Sequence, residues 1–347
     1  MEPSETDPAA APTEPPADSV VTNGPARADD TALDEWRADD ESATLPRIPR
    51  WVCLLVGIAA AAIGLLPWLI TGMRLPLQNL WATETLPDDM PVALLPFSQY
   101  ALTLIVAVLV TGAAIAGIAI RAMGRRRPRF GVVLALVGLL VVQVTAVVQT
   151  SVVVNQGLEQ RWESDLYLAA LVGVSALSTL VGVLVMLLIA AAPRAGAVIG
   201  LSIAAVASMS WFTGLIVPFG SVQATELSPL LDLVRWIPPI LVGAAIAWGG
   251  VNTVGRVIAA LIGLILLWVA PALITAVSMA AGSRVLAKDP PEMIDYAVDV
   301  FGMALTQPSV VIPPLVVAVV VAVIGLVLRA ILRRSRARTR ASTADTV

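Results

Sequence analysis

The sequence predicts an all-α polytopic membrane protein with eight transmembrane helices, laid out as two parallel four-helix repeats behind a disordered N-terminal tail. Three observations carry this prediction. The 347-residue chain is 58% apolar and only 14% charged, where a soluble domain carries roughly 25% charged residues. Its apolar residues fall into runs of about 20, the length a helix needs to cross the hydrocarbon core. And one stretch is written twice: residues 71–87, TGMRLPLQNLWATETLP, and residues 213–229, TGLIVPFGSVQATELSP, match without a gap as T-G-x3-P-x5-A-T-E-x2-P.

Residues 1–46 are rich in Pro, Ala, Thr, Asp and Glu and poor in large apolar side chains. They bury too little surface to offset chain entropy, and they read as a disordered acidic cytoplasmic tail. They lack the basic start and short apolar core of a cleavable signal peptide. Their one apolar pair, Leu33 and Trp36, is either solvated or a small docking point.

The first repeat, 47–192, holds spans at 51–71, 98–120, 130–154 and 166–192. The second, 193–332, holds spans at 196–219, 236–254, 257–281 and 308–328, and residues 333–347 form a basic cytoplasmic tail. The sixth span is the weakest, because Pro238 and Pro239 stand at its start. Proline is tolerated in a first turn, where the amides have no intrahelical partner. Between the last two spans, residues 286–307 spell a short amphipathic helix on the outer surface. Asp289 suits the cap, Pro290 the first turn and Glu292 the third position. Ile294, Ala297, Phe301 and Leu305 then recur at helical spacing, giving either cover for the bundle or a partner-binding face.

Arginine placement sets the orientation. With the N-terminus inside, the inner segments hold Arg47, Arg50, the Arg121–Arg129 cluster, Arg194, Arg256 and the run from Arg329. The outer loops hold only Arg74, Arg161, Arg235, Arg284 and Lys288, and are otherwise acidic. This bias places both termini in the cytoplasm. Lys288 is the one lysine among 22 basic residues. A GC-rich bacterial genome produces such a bias, so the expected location is the bacterial cytoplasmic (inner) membrane. Trp68, Trp81, Trp162, Trp211 and Trp236 near the outer side, with Trp51 and Trp248 near the inner, read as an interfacial aromatic belt.

The duplication extends beyond its core. Pro49-Arg50 and Pro193-Arg194 open the first and fifth spans, GAAIA at 112–116 returns at 243–247, and LVGLL at 136–140 resembles LIGLI at 261–265. Four spans per half is an even number, so the halves insert the same way up about an axis along the membrane normal, and sites in such folds lie between the halves. Thr71, Glu84, Thr213 and Glu226 are therefore candidate ligand- or partner-site residues. The two carboxylates would bracket an outer vestibule that attracts a cation or a basic partner. Alternatively these residues shape a loop and cap a short helix. A second candidate set is the polar line of the third span, Gln143, Thr145, Gln149, Thr150 and Asn155. There Gln143 and Gln149 serve either a substrate path or hydrogen bonding between helices. The small-residue stripes Gly57–Ala61, Gly200–Ala204–Ser208 and Gly243–Ala247 permit close helix packing.

Absences narrow the function. The chain has no histidine and a single cysteine, Cys53, which rules out His-based triads, His-ligated haem and Cys metal clusters. The apolar cores contain no Asp, Glu, Lys or Arg, so no intramembrane proton relay is expected. No cofactor, metal, catalytic site or nucleic-acid partner is expected, and the bilayer is the one partner the composition requires. Three functions stay open. The first is a permease-like or lipid-handling protein with an outward-facing site between the repeats. The second is a non-catalytic scaffold or accessory subunit that binds envelope or secretion partners through its acidic outer loops. The third is a lipid-linked glycosyltransferase-like enzyme using Asp88 and Asp89. The first predicts a cavity between the halves, and the second an exposed apolar patch at 291–305.

Overall fold

The computed structural model describes residues 48–217, 219, 227–283 and 289–344, with side chains to residue 335. The tail at 1–46 and Glu226 lie outside the described residues. Within them the chain is helical apart from turns and two isolated β-bridges. The helices are α1 (Arg50–Leu69), α2 (Leu102–Ala122), α3 (Gly131–Gly157), α4 (Trp162–Ala190), α5 (Arg194–Ile216), α6 (Ser228–Val234), α7 (Ile237–Gly249), α8 (Val254–Gly282), α9 (Pro290–Thr306) and α10 (Pro308–Ala344). Eight candidate spans result, with mean hydropathies from 1.7 to 3.0, and α6 with α7 supplies the sixth. The chain is a multi-pass membrane protein.

Proline and arginine mark where spans begin. Pro49 and Pro193 stand at the N-caps of α1 and α5. Pro238 and Pro239 occupy the first turn of α7 as expected. At 13 residues α7 is about 20 Å long, short of the ~30 Å hydrocarbon core. The preceding α6 makes up the length, with a turn at Arg235 and Trp236 between them.

One packing scheme serves both halves. In the first, α1 packs on α2 and α3, and α2 packs on α4. In the second, α5 packs on α7 and α8, and α7 packs on α10. The halves join mainly through α5, which lies against α2 and α4 and more lightly against α1. Small residues let the backbones meet. A Cβ on Gly138 of α3 would strike the Leu54 carbonyl of α1, and one on Gly263 of α8 would stand 2.7 Å from Ser202 Oγ of α5.

Both halves begin at the arginine-rich end. Arg121 at the end of α2 donates from Nη1 to the carbonyls of Ile189 (2.6 Å) and Ala192 (3.0 Å), at the end of α4. Arg329 of α10 donates from Nη1 to Ala247 (3.1 Å) and Trp248 (2.8 Å), at the end of α7. Each guanidinium satisfies carbonyls that a helix C-terminus leaves unpaired, and sits at the negative end of the helix dipole.

One expectation changes. Trp68 is 2% exposed and Trp211 9%, so neither belongs to an interfacial belt. Trp68 Nε1 donates to Ala93 O at 2.7 Å and Trp211 Nε1 to Gly64 O at 2.8 Å. A buried indole needs such a partner, and a backbone carbonyl provides it here. Trp51 and Trp162 remain exposed, as a belt requires. The amphipathic helix is present as α9, with Asp289 Oδ1 accepting from Glu292 N at 3.2 Å. It packs along α8, as cover for the bundle would. Trp268 Nε1 of α8 donates to Leu305 O of α9 at 3.0 Å. With 29 residues, α8 is about 43 Å long, so it outruns the hydrocarbon core and gives α9 a rail.

Candidate functional site

The segment between α1 and α2, residues 70–101, has no α-helix, only the single turn Pro87–Asp89, yet its stretch from Met90 to Ser98 is mostly buried. Met90, Ala93, Leu95 and Phe97 are each at most 1% exposed. Backbone at this depth survives only where its polar groups are satisfied. The segment pairs with itself through Leu75 N to Pro91 O (2.9 Å) and Ala93 N to Met73 O (2.8 Å). Two side chains of α3 complete it. Gln149 accepts from Leu94 N at 2.9 Å through Oε1 and donates to Val92 O at 3.0 Å through Nε2. Thr150 Oγ1 accepts from Leu95 N at 2.9 Å. Gln78 donates to Phe97 O at 2.8 Å and accepts from the Tyr167 hydroxyl at 2.6 Å. The segment is thus a folded cap over the first half, and Gln149 holds it there like one rung of a β-ladder.

Gln143 lies one turn and a half deeper on α3 and is 1% exposed. Its Nε2 donates to Leu109 O of α2 at 2.8 Å, while its Oε1 has no hydrogen-bond partner. Thr145 and Asn155 are exposed. The polar line therefore spreads over different faces and lines no common passage.

The repeated segments differ in local structure. Thr71 follows α1, and its hydroxyl donates to Trp68 O at 2.7 Å. Gly72 and Met73 then take positive φ, +82° and +57°, which turns the chain out of the helix as left-handed residues do. Thr213 and Gly214 lie inside α5, which runs on to Ile216. A Cβ on Gly214 would lie 3.0 Å from Leu104 Cδ1 and 3.2 Å from Pro67 Cβ. Glu84 is exposed in the cap segment. The five described candidates share no hydrogen bond with one another, and Glu226 lies outside the described residues.

A cavity does lie between the halves. It is a groove of about 490 Å3 walled by α2, α5 and α7. Ala114, Ala204, Ala205, Ala244 and Ala245 form its floor and sides, and Thr111 and Ser208 are its only hydroxyl residues. Thr111 Oγ1 is buried without a hydrogen-bond partner, while Ser208 Oγ donates to Ala205 O at 2.7 Å. Ile118, Leu241 and Trp248 line the groove and are 48%, 42% and 43% exposed. From Thr111 to Ile118 it follows α2 for about 10 Å. At its arginine-rich end the Arg121 guanidinium sits 5.0 Å from the centre of the Trp248 ring, within cation–π range.

The small-residue stripes carried the missed signal. They allow close packing on one face, where a Cβ on Gly243 would be 2.5 Å from Ala318 O. On the other face Ala204, Ser208 and Ala244 line the groove, where their short side chains leave space that larger ones would fill.

Comparison with protein families, with curated proteins and with solved structures finds no match. The fold and groove define the class: an eight-span membrane protein with an apolar cleft between two similarly packed sets of helices.

Proposed function

We propose that the protein handles lipid, taking an acyl chain sideways from the bilayer into the groove between its halves. One observation carries the reading: the cavity joining α2, α5 and α7 is lined almost wholly by carbon, and its lining includes exposed residues on spanning helices. An aqueous solute would meet few hydrogen-bond partners there, whereas an acyl chain needs none. This narrows the permease-like reading to lipid and turns its opening from the outer face to the side. On this reading the halves at 47–192 and 193–332 descend from one duplicated unit. The arginine-rich end faces the cytoplasm of a bacterial cell, and no proton coupling or catalysis is involved.

The test is photo-crosslinking in nanodiscs with a diazirine-bearing acyl chain. Labelling is expected on α2, α5 and α7, and Ala204→Trp, which fills the groove, should reduce it at least tenfold. Equal labelling of the variant would reject the proposal.

A second reading, an accessory subunit, draws on α9. Ile294, Val298 and Met303 are 61%, 61% and 64% exposed there, beside the acidic Asp295 and Asp299. Ile294→Glu with Val298→Glu should abolish partner capture under this reading while leaving acyl labelling intact.

A further inference from the structure

The groove ends among positive charges that no described acidic side chain pairs. Arg121, over Trp248, donates to the Ala192 carbonyl two residues before Arg194, and the guanidinium nitrogens of Arg329 and Arg256 both lie within 4.0 Å of where a Cβ on Gly250 would stand. Arg194 opens α5, the helix on which the halves meet. Among the described residues the salt bridges are Arg161–Glu159, in a link, and Arg235–Asp232, at the start of the sixth span, both at the opposite end. No acidic side chain occurs in the described links of the arginine-rich end.

Further positive character comes from backbone. The N-termini of α5 and α8 lie at this end, and neither has a side-chain cap. Their first amides offer donors to an anion, while the C-terminal carbonyls of α4 and α7 at the same end are already taken up by Arg121 and Arg329. Arg121 and Arg329 each use Nη1 on helix carbonyls, which leaves further donors of a five-donor fork. Arg194 is exposed and makes no hydrogen bond to the described chain through its side chain.

We infer that the ligand of the groove is an anionic phospholipid, its phosphate held at the seam by Arg194 with Arg121 and Arg329 while one acyl chain descends past Trp248 between α2, α5 and α7. The inference rests on the lipid reading above and names the headgroup class. Guanidinium forks match phosphate oxygens in pairs, and basic pockets between spanning helices suit anionic headgroups. Trp248 makes charge and groove continuous: its ring lines the cavity and lies under Arg121.

The experiment uses the full chain in nanodiscs of equal phosphatidylglycerol and phosphatidylcholine with matched chains, released for native mass spectrometry. Wild type should retain phosphatidylglycerol in preference. Arg194→Gln should weaken that preference about fivefold with total retained lipid and thermal stability unchanged. Ala204→Trp should lose both lipids. A preference that survives Arg194→Gln overturns the headgroup site and leaves the groove intact. Full lipid retention by Ala204→Trp overturns the groove itself. Inorganic phosphate supplies the third arm. If it binds wild type and Ala204→Trp alike and strips phosphatidylglycerol at millimolar concentration, the seam takes a free anion and the lipid assignment falls.

Discussion

The two halves share a packing scheme but not a degree of enclosure. The second span of the first half, α2, is 67% buried, against 39% for the matching α6–α7 span. For the fourth spans the figures are 33% for α4 and 11% for α10. The difference follows from what each half adds to its four helices. The first adds the cap at 70–101, which covers α1, α2 and α3 and contributes Met90, Ala93, Leu95 and Phe97 to the core. The second adds α9, which lies along α8 and leaves α10 facing outward. Each half supplies four spans, and the inserts decide which half is the more enclosed and which keeps more exposed surface.

Six substitutions break or sharpen that contrast. The largest effect is expected from Trp68→Ala, which removes a buried indole and the anchor of Ala93; about 3–5 kcal/mol of stability should go. Trp211→Ala loses a similar side chain but releases the seam, so it should also reduce acyl labelling, which Trp68→Ala should spare. Denaturant titration in micelles with crosslinking checks both, and equal labelling losses would erase the distinction.

Gln149→Ala comes next. It strands Leu94 N and Val92 O, at a cost of about 2 kcal/mol. Arg74, in the cap, should then be cut by trypsin roughly 30-fold faster. No faster cleavage would mean that the cap stands without its α3 rung.

Gly72→Ala and Gly214→Ala compare the two Thr-Gly copies directly. The first forces alanine to φ +82° and should cost about 1 kcal/mol. The second meets Leu104 and Pro67 at the seam, so its effect should appear in lipid retention. Matching effects on lipid retention would argue that the copies share one role after all. Smallest of all is Gln143→Leu. It removes an oxygen that has no partner, and Leu109 O remains part of α2, so stability should stay within about 0.5 kcal/mol.

The spans were legible because hydrocarbon thickness imposes length on apolar runs and arginines punctuate them. Asp289, Pro290 and Glu292 announced α9 for equally local reasons. The depth of the cap was not legible. Apolar Met90–Phe97 is too short to span, and only the complementary amides of Gln149 show that it folds inward. Trp68 and Trp211 misled because a tryptophan near a helix end suits an interface or a core equally, and the carbonyl opposite decides. The groove was illegible for a different reason. Ala204, Ala205 and Ala245 look alike whether a helix lies against them or not.

The separate cores bear on how the chain is made. One cluster, from Cys53 to Ala190, closes entirely within the first four spans, and another, from Val198 to Ala322, within the last four. A ribosome delivers the earlier quartet first, and domains settle as they emerge. The leading half therefore has one closed cluster before the second half leaves the insertion machinery, while the cluster under the cap is completed only when α5 brings Trp211 to it.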